Sequence, residues 1–350
     1  MSPAHRFVSA RPATNRSARH WVAAVGLCLA ATAALADSNN KVVIDYDSFQ
    51  KSGGYTLGDY YGKWANIYGP GEMANVDTRS FANGKFAISA VPFTVGADFS
   101  VFDHLKYIAV STQTFAPPVR GSITFSSTIQ AETPGTQPGR MIHGTYLQSG
   151  APYAQPTLEG QQAGAVMNMI DFGTGQLFDW FISGGKAFTL IERLPSAVTN
   201  PALPSSDPAY VGRSKMYTQI IDEVSISPGP HKVAIKFTRK DGKGMVEYFL
   251  DGKLVSKVKN VGVPLDVQGK KYSGIYPSMG PGEPVADKLS GFAIGHGLFS
   301  LLDAFPFQHP EAPELAVSIP LANRLFGQGA RATFDDFKVE IRNDDEDGDD

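Results

Sequence analysis

The chain has 350 residues, 42% of them apolar and 19% charged, with a formal net charge of −3. That length buries a large core without staples, and the near-neutral balance excludes an electrostatic nucleic-acid binder. The 36 glycines and 24 prolines imply many turns between short elements.

Residues 1–20 carry Arg6, Arg11, Arg16 and Arg19 and no acid. An apolar run from Trp21 to Leu35 follows and closes on Ala34-Leu35-Ala36. A basic start, a short apolar run and an A-x-A site describe a secretory signal peptide over residues 1–36. The alternative is an N-terminal membrane anchor, but the run is too short for a comfortable span. No stable membrane insertion is expected. Cleavage after Ala36 makes the mature chain secreted or periplasmic, and removes Cys28, the only cysteine. The mature chain is then expected to hold no disulfide. Without those four arginines it has 27 basic and 34 acidic residues, a net charge of −7. Six of the acids lie between Asp344 and Asp350, so residues 37–342 are close to neutral. Residues 343–350 are expected to be a disordered acidic tail.

In the body, Val42 to Phe49 alternates apolar and polar residues and predicts a strand. Tyr55, Tyr60, Tyr61, Trp64 and Tyr68 sit in a Gly-rich segment that resembles a loop, where aromatic rings either stack on sugars or staple the loop to the core. Gly121 to Ala131 predicts a second strand. Three runs follow, Ala165–Phe172, Leu177–Ile182 and Ala187–Leu194. They are apolar on both faces, as central strands of a packed sandwich are. Two-residue turns at Thr174-Gly175 and Gly184-Gly185 would place Asp179 opposite Ile170 and Leu190, with Asn168 and Glu192 on the same face. Lys232–Arg239, Met245–Leu250 and Leu254–Lys259 form a meander whose Asp251-Gly252 turn is a hairpin signal. Ala332–Ile341 alternates again and is expected to pair with the first strand. Residues 132–162, 195–216 and 266–290 read as long irregular connections.

Val233–Phe237, Val246–Leu250 and Asp251-Gly252-Lys253 together resemble the hairpin of the concanavalin A-like lectin/glucanase superfamily. Phe334–Val339 resembles the last strand of many of its members. The resemblance implies a jelly roll of two antiparallel sheets, one of them concave. Asp103–Tyr107, Phe178–Phe181, Glu192–Pro195 and Gly295–Ala304 resemble an uncharacterised family of secreted microbial proteins, over nearly all of the mature chain. The expected fold is therefore an all-β, concanavalin A-like jelly-roll β-sandwich of two antiparallel sheets with long loops, in one domain over residues 37–342.

Chemistry-bearing residues are few. The superfamily's glucanases carry two carboxylates on one strand as Glu-x-Asp-x-x-Glu, and that motif is missing. No G-x-S-x-G elbow and no nucleotide-binding glycine loop is present, and no metal or cofactor is expected. The candidate catalytic residues are Asp179, Glu192 and His296. The candidate ligand-binding residues are Trp180, Asn168, Trp64 and Tyr61. In a functional arrangement, Asp179 and Glu192 are acids in a carbohydrate-facing groove with Trp180 as a stacking platform. In a structural one, they pair internally, for instance with Arg193. His296, flanked by Gly295 and Gly297, is a general base oriented by Asp303, a metal ligand, for which no further ligand stands at metal-site spacing, or a loop histidine bonded to backbone. His104 and His143 are weaker versions of the same idea. The expected role is a secreted module binding a polysaccharide or cell-surface glycan. The alternatives are an extracellular carbohydrate-active hydrolase or lyase, and an accessory protein with no small ligand.

Overall fold

The computed structural model describes residues 40–66, 76–94, 104–274, 278–302 and 311–344. The expected signal peptide with Cys28, and the acid-rich end beyond Asp344, lie outside those residues, as do Tyr68, Asp103 and Asp303.

The first strands are β1 (Lys41–Asp47), β2 (Trp64–Asn66), β3 (Thr78–Ala82), β4 (Lys85–Ala90), β5 (Leu105–Ser111) and β6 (Gly121–Glu132). A hairpin, β7 (Met141–Tyr146) and β8 (Pro152–Pro156), precedes the central meander of β9 (Gly164–Asp171), β10 (Gln176–Ile182) and β11 (Lys186–Arg193). The rest are β12 (Tyr217–Ser225), β13 (His231–Lys240), β14 (Lys243–Leu250) and β15 (Lys253–Lys259). They are followed by β16 (Ser273–Gly274), β17 (Ala293–Phe299), β18 (Val317–Ser318) and β19 (Ala330–Asn343).

Two eight-stranded antiparallel sheets result. The first runs β15-β14-β13-β6-β19-β4-β3, with β1 also paired to β19. The second runs β16-β12-β11-β10-β9-β17-β5-β2. This is the all-β antiparallel sandwich that the alternation predicts, and the two terminal strands pair as expected. Strand β6 shows the cause: Ile123, Phe125 and Ile129 are buried while Thr124, Ser126, Thr128 and Gln130 between and beside them are half-buried. These residues meet Phe178, Trp180 and Ile182 of β10 in one core between the sheets.

The second sheet is buried on both faces. Its outer face carries Val166, Ile170, Leu177, Phe181, Phe188 and Leu190 in a separate apolar cluster. Leu158, Met279 and Leu315 pack on that cluster from the long connections. A short helix, Glu159–Gln162, lies so close that a Cβ on Gly160 would meet the Phe188 ring at 2.6 Å. Two of the connections expected to be irregular thus supply part of a roof, through Leu158 and Met279, with Leu315 added from the β17–β18 connection, and residues 132–162 contain the β7–β8 hairpin as well.

Candidate functional site

The meander sets the site. Asp179 of β10 stands opposite Asn168 of β9 and Leu190 of β11. The expected partner Ile170 is displaced because the β9–β10 connection has four residues, Phe172 to Gly175. The Asp171 carboxylate builds that longer turn by accepting from the Thr174 backbone N–H at 2.8 Å and hydroxyl at 2.9 Å. A two-residue shift preserves parity, so Asp179, Asn168 and Glu192 still share the outer face. Glu192 is the diagonal neighbour of Asp179, directly opposite Thr218 of β12.

Asn168 donates its amide N–H to Asp179 Oδ1. Thr218 donates its hydroxyl to Glu192 Oε2 at 2.7 Å. Asp179 is 1% exposed, and Glu192 is half-buried. Burial, and then the charge of Glu192, push the Asp179 carboxyl well above the usual carboxylate range, against the opposing effect of Asn168. Burial pushes Glu192 up to about 7, against the Thr218 bond. Arg193 does not compensate either acid. Its Nη2 donates to Glu283 at 2.8 Å and its Nε to the Thr174 carbonyl at 3.0 Å. Among the described residues, neither acid has an ion-pair partner. The Oδ1 of Asn168 is buried and accepts no hydrogen bond. It packs against Gly295 of β17, where a Cβ would come within 2.9 Å of it. The glycine leaves room for the amide that orients Asp179.

His296 is elsewhere. It lies on β17, not in a loop, and its parity places it on the inner face. Phe86, Trp64 and Phe334 surround its ring at centroid distances of 5.0, 4.6 and 4.9 Å. Its Nε2 bonds to the Tyr60 hydroxyl at 3.0 Å, and its Nδ1 has no hydrogen-bond partner. Burial lowers its pKa to about 3, so it is neutral at ordinary pH. The grouping of His296 with Asp179 and Glu192 is therefore corrected: the sheet separates them. Its two glycines are packing requirements, since a Cβ on Gly297 would strike the Tyr107 carbonyl oxygen at 2.0 Å. Among the described residues, no cluster of three or more metal-ligating side chains is found.

The aromatic candidates are corrected too. Trp180 faces inward, fully buried, and donates its Nε1–H to the Ala234 carbonyl at 3.1 Å, so it is no stacking platform for this site. Trp64 is fully buried and donates to Asp47 at 2.8 Å. The segment expected to be a loop is a helix, α1 (Leu57–Lys63), started by a capping box between Thr56 and Asp59. It staples Tyr60 and Trp64 into the core. Tyr61 alone of the candidates stays open, 43% exposed, with the Arg79 guanidinium 5.7 Å from its ring centre. His104 lies beside Phe299, with ring centres 5.7 Å apart. His143 is exposed on β7. Sequence reasoning missed Thr218 and Gly295; register alone brings them to the site.

Residues 72–343 match the profile of a family of unknown function (DUF6081). No curated protein sequence matches the chain significantly. Among solved structures, the chain is similar to an endo-1,3-β-glucanase from Streptomyces sioyaensis. Identity is 11% and the TM-score 0.41, over 89% of this chain and 100% of that one. It is also similar to a legume lectin-like domain from Entamoeba histolytica, at 8% identity and a TM-score of 0.36, over 85% and 98%. A third is the exolytic PL7 alginate lyase AlyA5 from Zobellia galactanivorans, at 7% identity and a TM-score of 0.33, over 77% and 88%.

Proposed function

We propose that the chain, which belongs to the DUF6081 family, is an exported glycan-binding β-sandwich whose polar anchor is the outer-face group Asn168, Asp179, Glu192 and Thr218. One observation carries the proposal: two carboxylates share one face of a buried sheet, with no ion-pairing cation among the described residues. Such burial costs stability, and acids perturbed by burial and by a neighbouring like charge cluster at functional sites. The surroundings fit a sugar. Val166, Ile170, Leu177 and Phe181 make an apolar field around the polar group, the usual composition of a small-ligand site. Asn168 Oδ1 needs a hydrogen-bond donor, and sugar hydroxyls supply donors without adding charge. The roof from Leu158, Met279 and Leu315 suits a terminal sugar unit rather than a long chain laid across the sheet. Entry is on the side of Glu192, the less buried acid.

A second reading, a hydrolase or lyase, is favoured by one fact. Glu192, pushed up to about 7 beside an Asp179 carboxyl that burial raises well above the usual range, is poised for proton transfer at neutral pH. The test is a glycan array on the protein without residues 1–36, with reducing-sugar release from pooled polysaccharides run in parallel. Binding that falls at least about tenfold in Asp179→Asn/Glu192→Gln supports the proposal. Undiminished binding in that variant refutes it. Sugar release by the wild type alone promotes the second reading.

A further inference from the structure

At the end of the sandwich where the β9–β10 turn lies, three cations gather on one carboxylate. Glu283 Oε1 accepts from Arg193 Nη2 at 2.8 Å and lies 3.3 Å from Lys215 Nζ, while Oε2 lies 2.9 Å from Lys288 Nζ. Burial opposes ionisation of Glu283, but Lys288 and Arg193 hold its carboxyl down at about 2, so it carries a full negative charge. Asp171, in the β9–β10 turn on this rim, gives both oxygens to Thr174, Ser290 and Gly291. Arg213, close by in sequence, is paired with Glu314. The cluster therefore keeps an excess of positive charge.

A second observation is independent of charge. The Arg193 side chain is 1% exposed, and its Nη1, carrying two N–H donors, has no acceptor. A buried guanidinium with an unmet donor pair is costly, and its planar fork matches an oxyanion. Phe172, in the turn between Asp171 and Thr174, is 37% exposed and offers an apolar ring on the same rim.

We propose that Arg193, Lys215 and Lys288 form an oxyanion subsite, which takes the carboxylate or sulfate ester of an acidic glycan. The glycan part rests on the function proposed above; the oxyanion site itself does not. Glu192 and Arg193 are consecutive residues that point to opposite faces at the end of one strand. A ligand reaching the acid pair from this rim passes the cation cluster.

The test separates the two claims. Inorganic sulfate is titrated against sodium chloride at equal ionic strength while the melting temperature is followed, for the wild type and for Lys215→Ala/Lys288→Ala. Both lysines are at least partly exposed, so the variant is expected to fold. The expected result is a sulfate-specific rise in the wild type that the variant loses. Equal rises in both mean that Arg193 is met by water, and overturn the subsite. Oligogalacturonide, a sulfated oligosaccharide and a neutral gluco-oligosaccharide are then compared by calorimetry. The expected loss in the variant is about tenfold for an acidic ligand, the value of one charge-assisted contact, and none for the neutral one. Neutral binding with no acidic preference overturns the ligand class and leaves the glycan function standing.

Discussion

The second sheet buries titratable groups on both faces, and the two faces treat them differently. Inside, His296 is neutral, caged by aromatic rings and tied to Tyr60. Its chemistry is switched off by the environment that stabilises the core. Outside, Asp179 and Glu192 lie close enough to repel one another when charged, and no cation among the described residues relieves them. A fold can use a neutral histidine as a polar filler. Two unrelieved acids add repulsion rather than stability, and on that ground the outer face rather than the inner is the one proposed as functional.

The largest expected contrast lies in packing. Trp180→Ala on the inner face removes a fully buried ring and its bond to Ala234. It is expected to cost about 3–5 kcal/mol in urea unfolding. A small loss would mean that the inner face is not the structural one.

The next contrast is in pH. His296 has its pKa lowered from 6.5 to about 3. The unfolded chain then binds the proton more readily, so stability falls as pH drops below 6.5 toward 3. The full effect approaches about 5 kcal/mol, and His296→Phe is expected to flatten that acid limb. Glu192 behaves oppositely. Its pKa rises from 4.5 to about 7, so its contribution is fully present below 4.5 and is lost as pH rises through 7. Glu192→Gln is expected to be neutral at pH 4 and stabilising by about 3 kcal/mol at pH 8. An unchanged slope between pH 4.5 and 7 in that variant would remove the basis for a strained pair. The smallest effect is expected at Tyr61, where an exposed ring replaced by Ala changes stability by no more than about 0.5 kcal/mol.

Much of this contrast could be foreseen from sequence, and the rest could not for definite reasons. The meander and the shared face of Asp179, Asn168 and Glu192 follow from period-two alternation, and they survive a misplaced turn because a two-residue shift keeps parity. Which face points inward did not follow. Leu177 and Phe181 on one side are as apolar as Phe178 and Trp180 on the other. The outer set is covered by connections that carry no periodic signal. Gly58 and Gly62 disguised α1 as a loop, although Thr56 and Asp59 spell its capping box. Gly295 and Gly297 disguised β17 in the same way. Both glycines answer to neighbours distant in sequence, Asn168 and Tyr107.

The most direct test joins stability to binding in one variant. Asp179→Asn/Glu192→Gln is unfolded in urea at pH 8 and probed on the same glycan array as the wild type. The expected result is a more stable protein that has lost its glycan ligand, because the acids are retained against the interest of the fold. A variant that is less stable, or that binds as the wild type does, would show that the outer-face pair is a structural element and contradict the account.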